Sequence, residues 1–265
     1  MRLASRAPGG VDWSPWWLAP EQAGVVSDYD GTLAPIVEDR DRARPVPGAR
    51  EVLATLAGEL AIVAVVSGRP LAYLERHLGG IERVQLLGLY GLERQQGSEH
   101  QVATDALRWR PVVEALAAEA AAEAPTGVEL EHKGLSFVLH ARHNPNAMPW
   151  ARDWAGEKGA AAGLKVQPGR MSVELLPPTD MDKGGAVVEL AASLGAVCYM
   201  GDDTGDLAAF GALDQLRAAG KTTVAVGVGS REQPAELARA VDHMVDGPEE
   251  AVELLDFLAT RLASR

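Results

Sequence analysis

Short apolar runs that stop abruptly at polar punctuation recur along this chain. Gly24 to Ser27 reads as a short buried strand ending at Asp28. Ala61 to Val66 (AIVAVV) is a continuous β-rich run that stops at Ser67-Gly68-Arg69-Pro70. Unbroken runs of this kind suit parallel strands covered on both faces. Val84 to Leu89, Ala196 to Met200 (AVCYM) and Thr222 to Val226 (TTVAV) repeat the pattern. Stretches with apolar residues at helical spacing lie between them. Pro47 to Leu60 is one, with Pro47 placed to open it. Another runs to Leu78 and closes at Gly79-Gly80, and two more lie near Leu207 to Ala219 and Pro234 to Ala240. Strands alternating with helices predict an α/β fold, a Rossmann-like core with a parallel sheet and right-handed crossovers.

The middle of the chain breaks this rhythm. Thr104 to Ala124 is rich in Ala and Glu and reads as one strong helix. Val128 to Glu131, Leu135 to Arg142, Lys165 to Gln167 and Met171 to Leu175 read as strands, with a helix from about Pro149 to Ala162. Short turns (HKG, PGR) join strands here, which suits hairpins rather than crossovers. The expectation is a core domain over residues 1–103 and 179–265, interrupted by an α+β cap domain over 104–178. The stretches near Gln95 to Thr104 and Pro177 to Asp182 would be its hinges.

Composition narrows the partners. The 265 residues carry a formal net charge of -12, which argues against nucleic acid or an anionic membrane as partner. No window approaches the ~20 apolar residues of a membrane span, and the first residues lack the apolar stretch of a signal peptide. The WSPWW cluster is expected to pin the N-terminal segment by aromatic burial. Cys198 is the one cysteine, so no disulfide framework exists within the chain, and a reducing, cytoplasmic compartment is expected. Its apolar neighbours suggest a small buried side chain.

The candidate chemistry sits where the apolar runs end. In VVSDYDGTLAP, Asp28 and Asp30 are two positions apart, so both can face one way while Tyr29 faces the other. In an open α/β sheet, ligands bind beyond the carboxyl ends of the strands. Ser67-Gly68-Arg69, the turn from Gly88 to Gly91, and Gly201-Asp202-Asp203 end other runs, and Lys183 follows the second hinge. Hard carboxylate oxygens with water and a phosphate make a plausible Mg²⁺ site, and a lysine adds positive charge. This much points to metal-assisted phosphoryl transfer on a small anionic substrate.

"DYDGT", "SGR", a lysine ahead of a helix and "GDDTGD", in that order, resemble the four motifs of the haloacid dehalogenase-like phosphohydrolases. More narrowly, "DYDGTLAPIVEDRDRARP", "ELEHKGLSFVLHAR" and "GRMSVELLP" leading into "DKGGAV" resemble the trehalose-6-phosphate phosphatases. The resemblance implies a sugar-phosphate substrate, trehalose 6-phosphate, and Mg²⁺ as cofactor. It implies Asp28 as nucleophile, forming an aspartyl-phosphate, and Asp30 as general acid and then base. Asp28, the backbone carbonyl of Asp30, and Asp202 would hold the metal, with Asp203 and Asp206 acting through water or as anchors. Ser67 and Lys183 would hold the phosphoryl oxygens. In the insert, Glu131, Lys133 and Glu174 would contact the sugar, together with Arg142 and Arg170, while His132 and His143 face solvent. The fourth motif departs from the common GDD-x-T-D-E, because Gly205 replaces the Thr and Leu207 the acid. Phosphatases for sucrose phosphate or mannosylglycerate phosphate, a phosphomutase, and a non-catalytic sugar-phosphate sensor remain alternatives, since a fold does not fix a function.

Overall fold

A computed structural model of the chain describes residues 10–37, 39–169, 171–230 and 235–265. They form two compact units, one of residues 1–100 and 181–265 and the other of residues 101–180.

The first unit begins with α1 (Ser14–Leu18) and β1 (Ala23–Ser27). Then come α2 (Ala49–Glu59), β2 (Ile62–Val66), α3 (Leu71–Leu78), β3 (Val84–Gly88) and the hairpin of β4 (Glu93–Gln96) and β5 (Glu99–Val102), whose last two residues fall in the range of the second unit. The second unit holds α4 (Thr104–Leu107), α5 (Arg110–Glu123), β6 (Glu129–His132), β7 (Phe137–His140), α6 (Met148–Ala162), β8 (Lys165–Gly169) and β9 (Ser172–Leu176). The chain returns to the first unit with α7 (Lys183–Leu190), β10 (Ala196–Gly201), α8 (Leu207–Ala218), β11 (Thr222–Gly229), α9 (Leu237–Ala240), β12 (His243–Asp246) and α10 (Gly247–Ala263).

The large sheet has the order β12-β11-β10-β1-β2-β3-β4-β5. Its strands from β12 to β3 pair in parallel, and β4 pairs antiparallel to β3. Both faces are covered, as the apolar runs require. Val25, Val63, Val65, Cys198 and Met200 pack on one side with residues of α2, α3 and α10. Val26, Ala64, Val66, Val197 and Tyr199 pack on the other with residues of α7 and α8. Strand order reverses at β1, which lies between β10 and β2. Such a switch point opens a crevice at the carboxyl ends of the adjacent strands.

Trp13 and Trp16 are fully buried with their rings edge to face at 5.0 Å, and Trp16 Nε1 donates to the Gly24 carbonyl at 2.9 Å. The N-terminal aromatics are therefore part of the core. Cys198 is fully buried as well, and burial pushes its thiol pKa up, with Asp242 adding to the effect. Among the described residues, no helix is long and apolar enough to cross a membrane.

The second unit is a four-stranded antiparallel sheet, β6-β7-β9-β8. Phe137, Leu139, Val173 and Leu175 pack against Val113, Ala117, Ala151, Trp154 and Ala155 of α5 and α6.

Three local features differ from the sequence expectation. The helix expected over Thr104 to Ala124 breaks at Arg108 and Trp109, where Trp109 caps α5. Pro111, in the first turn of α5, lacks the N–H that a continuous helix would use. The stretch expected as the first hinge holds β4 and β5, which turn at Gly97 in the left-handed region, φ 60. Finally, β12 and α10 fill a C-terminal stretch with no sequence assignment.

Candidate active site

Asp28 directly follows β1, and its amide extends the ladder by donating to the Met200 carbonyl at 2.9 Å. The strand period places Tyr29 on the opposite side, fully buried in the core, and leaves Asp28 and Asp30 toward the crevice. Asp28 is buried, and its Oδ1 lies 2.9 Å from Lys183 Nζ, the first helical residue of α7. Burial raises the Asp28 pKa well above the usual carboxylate range; Lys183 opposes this, and Asp206 and Asp202 add to it.

Asp206 is the organiser of the centre. Its Oδ1 accepts from Lys183 Nζ at 2.8 Å and from the Tyr199 hydroxyl at 2.5 Å. Its Oδ2 accepts the amides of Asp202 at 2.9 Å and Asp203 at 3.0 Å. Burial works against the Asp206 charge, yet Lys183 and Tyr199 hold its pKa below the usual value. Burial likewise works against the Lys183 charge, and Asp206 and Asp28 more than offset it. Asp203 caps the turn before α8, its Oδ1 accepting the Gly205 amide at 2.7 Å.

Asp202 stands apart from these pairs. It is 2% exposed, and its carboxylate has no hydrogen-bond or ion-pair partner among the described residues. Burial, then Asp203 and Asp206, push its pKa up to about 8. Gly31, with φ +79, brings the backbone so close to this carboxylate that a Cβ there would collide with it. One oxygen each from Asp28, Asp202 and Asp206 lie within 4.8 Å of one another. A buried carboxylate with no partner is costly, and a hard divalent cation among oxygens removes that cost. The residues therefore fit a metal. Asp28 and Asp202 are the better donors, because both oxygens of Asp206 are already taken twice.

Ser67 follows β2 and is buried, with its Oγ accepting the Arg69 amide at 3.1 Å. The Leu89-Tyr90 turn holds this loop, since the Tyr90 amide donates to the Ser67 carbonyl and the Leu89 amide to the Arg69 carbonyl, each at 2.9 Å. Leu89 and Tyr90 sit at φ 47 and 62, positions that side chains rarely adopt. Strain of this kind persists where the surroundings over-determine the backbone.

Sequence reasoning gives no role to Arg69 or Tyr199. Arg69 clamps Asp30 with two parallel hydrogen bonds, Nε to Oδ2 at 2.7 Å and Nη2 to Oδ1 at 2.8 Å. It also stacks over the Tyr73 ring at 4.4 Å. A guanidinium beside a crevice acid is a usual partner for it, and the place of Arg69 in the turn that follows the end of β2 is the available signal.

In the second unit, Glu131, Val138, Glu174 and Gln167 stand in one row across the sheet, opposite the apolar face. Glu174 is buried, accepting from Ser136 Oγ at 2.6 Å and lying 3.3 Å from Lys133 Nζ. Glu131 pairs with His140 at 3.1 Å. Arg142, His132 and His143 are exposed, and Arg170 lies outside the described residues.

Comparison with known proteins adds the family. The family model described as trehalose-phosphatase matches residues 26–242. A trehalose-phosphate phosphatase of Mycobacterium avium (strain 104) is 36% identical over 272 residues, covering 96% of this chain and 65% of the relative. The chain thus spans about two thirds of the length of the curated relatives it matches. A crystal structure of a trehalose-6-phosphate phosphatase related protein superposes with a TM-score of 0.77 at 20% identity, covering 91% of this chain and 99% of the other. The C-terminal domain of the C. albicans trehalose-6-phosphate phosphatase gives a TM-score of 0.74 at 22% identity, covering 92% and 95%. At these identities the two structures support the fold.

Proposed function

The chain belongs to the trehalose-phosphatase family, and on that premise we propose that it hydrolyses trehalose 6-phosphate to trehalose and inorganic phosphate. The observation that carries the chemistry is the buried Asp202 carboxylate, which has no hydrogen-bond or ion-pair partner among the described residues and offers an oxygen within 4.8 Å of one from Asp28 at the switch point of the sheet. Asp28 and Asp202 would hold Mg²⁺ with the backbone carbonyl of Asp30, and Asp203 and Asp206 would orient them. When bound there, the ion would supply charge neutralisation for the approach of one anion to another.

An oxygen of Asp28 attacks phosphorus, and the bond from phosphorus to the sugar oxygen breaks. Asp30 gives its proton to that oxygen as trehalose leaves. A water then attacks phosphorus, Asp30 takes the water's proton, and the bond to Asp28 breaks to release phosphate. Carboxylate nucleophiles divide one difficult displacement into two easier ones. Lys183 and Ser67 hold the phosphoryl oxygens. For Asp30 to work as acid and base it leaves the Arg69 clamp, so Arg69 stores it in an oriented resting position. In the second unit, Lys133, Glu131 and Glu174 supply hydrogen bonds to sugar hydroxyls, with Arg142 and Arg170 as further contacts.

The test is mass spectrometry of the acid-quenched reaction with trehalose 6-phosphate and Mg²⁺. One phosphoryl group on the peptide containing Asp28 is expected. A phosphoryl group on another residue would overturn the assignment.

A further inference from the structure

A concave feature of the first unit is lined by none of the residues of the acidic centre. It is an open, solvent-facing cavity of about 510 Å³ between the segment that leads into α2, the first turn of α2 and the end of α3, and the arginines that line it are exposed. That volume is within the range of small-molecule sites, about 300–1,000 Å³. Arg44, Arg50, Arg76 and His77 line it, with Glu51 as the one acid among the lining residues. None of the lining residues is Asp28, Ser67, Lys183, Asp202 or Asp206.

The charge here runs against that of the chain as a whole, which is -12. No carboxylate pairs with any of the three arginines among the described residues. Arg44 donates through Nη1 to the carbonyls of Asp41 at 2.7 Å and Ala43 at 3.1 Å. Arg50 donates to the carbonyls of His77 and Gly79, where α3 ends. Arg44 Nη1 also lies 3.4 Å from His77 Nε2, so both guanidinium groups are oriented by neutral partners rather than by a carboxylate. A simple capping role accounts for Arg50 alone. It does not account for Arg76, which makes no hydrogen bond or ion pair among the described residues. The buried His77 registers the field: burial lowers its pKa first, and Arg44, Arg76 and Arg69 lower it further. Gly48 is the N-cap of α2, and no side chain caps that helix start. The helix dipole at the cavity wall therefore adds to the arginines.

Guanidinium forks match the geometry of phosphate oxygens. We propose that this cavity is a second anion site, which takes a small metabolite carrying a phosphate group with two or more negative charges. His77 is the lining residue that connects it to the neighbouring aromatic rings. His77 packs edge-on against Tyr73 with ring centroids 4.8 Å apart, and the Arg69 guanidinium lies 4.4 Å over the same Tyr73 ring.

Calorimetric titration with inorganic pyrophosphate in metal-free buffer tests this. Without a metal the acidic centre repels the probe, so the cavity is read alone. The full chain is expected to bind one pyrophosphate. Arg76→Glu, a change at an exposed side chain, is expected to weaken binding by about tenfold or more, the effect of losing one charge-assisted contact and adding a repulsive one. Arg239→Glu makes the same charge change at an exposed arginine outside the cavity, and is expected to leave binding unaltered. Absence of binding to the full chain would overturn the proposal. So would equal binding by the Arg76→Glu protein, or an equal loss in both variants.

Discussion

Asp206 carries more structural responsibility than its neighbours, although Asp28 is the residue proposed to attack. Four donors converge on its two oxygens, and they come from α7, β10 and the turn before α8. Replacing it by Asn exchanges one acceptor oxygen for an NH2 donor, removes the charge, and leaves the buried Lys183 with Asp28 as its remaining ion-pair partner among the described residues. Breaking a buried pair in this way costs about 3–5 kcal/mol, so Asp206→Asn is expected to lower the thermal midpoint and the turnover together. Thermal unfolding followed by circular dichroism checks the first. A midpoint equal to that of the parent would remove Asp206 from the organising role. At this scale the sequence is most informative about residues that end strands. Asp28, Ser67 and Asp202 stand where apolar runs stop, which is visible as a pattern of letters. Arg69 and Tyr199 are not legible in the same way. The partner of Arg69 is Asp30, distant in the chain, and the hydroxyl of Tyr199 looks like one more apolar strand residue until Asp206 is placed beside it.

Elements were legible to the extent that their periodicity was local. The parallel strands from β1 to β3, with β10 and β11, announce themselves as unbroken apolar runs between helices, and the sheet contains them. The break between α4 and α5 depends on one proline overriding the high helix propensity of the alanines around it. α10 has its signal in plain view, with Pro248 in the first turn, Glu249 and Glu250 beside it, and buried residues at Ala251, Leu254, Leu255, Leu258 and Leu262. Its spacing is that of a helix with one buried face. α1 is short, five residues, and is held by aromatic burial rather than by propensity. Trp16→Ala removes a fully buried ring and its hydrogen bond to Gly24, a change expected to cost about 3–5 kcal/mol. Denaturant unfolding of the full chain measures this. A loss below about 1 kcal/mol would mean that the N-terminal segment packs only loosely.

For the whole molecule, the proposed metal site would link folding to metal binding through Asp202. Its folded pKa is raised to about 8, above its ordinary value of 3.8. Between those values the unfolded chain has lost this proton and the folded chain keeps it. Without metal, the contribution of this group to stability therefore falls as pH rises from about 4 to about 8. A cation competes with that proton, so its affinity rises over the same interval. Adding Mg²⁺ is expected to raise the thermal midpoint more at pH 8 than at pH 6. Equal shifts at the two pH values, or a larger shift at pH 6, would show that Asp202 does not meet the ion. The antiparallel unit is inserted in the chain between two parts of the parallel one, so the residues of the acidic centre belong to one unit, 1–100 with 181–265, and Glu131, Lys133 and Glu174 to the other, 101–180.

The most direct measurement is phosphate release by the full chain with Mg²⁺ from a panel of sugar phosphates, alongside Asp28→Asn. Trehalose 6-phosphate is expected to have the highest kcat/KM, well above sucrose phosphate and mannosylglycerate phosphate, and the Asp28→Asn protein is expected to lose turnover by a factor on the order of 10³ or more, as removal of a nucleophile does. A higher kcat/KM for another sugar phosphate, or full turnover by Asp28→Asn, would contradict it.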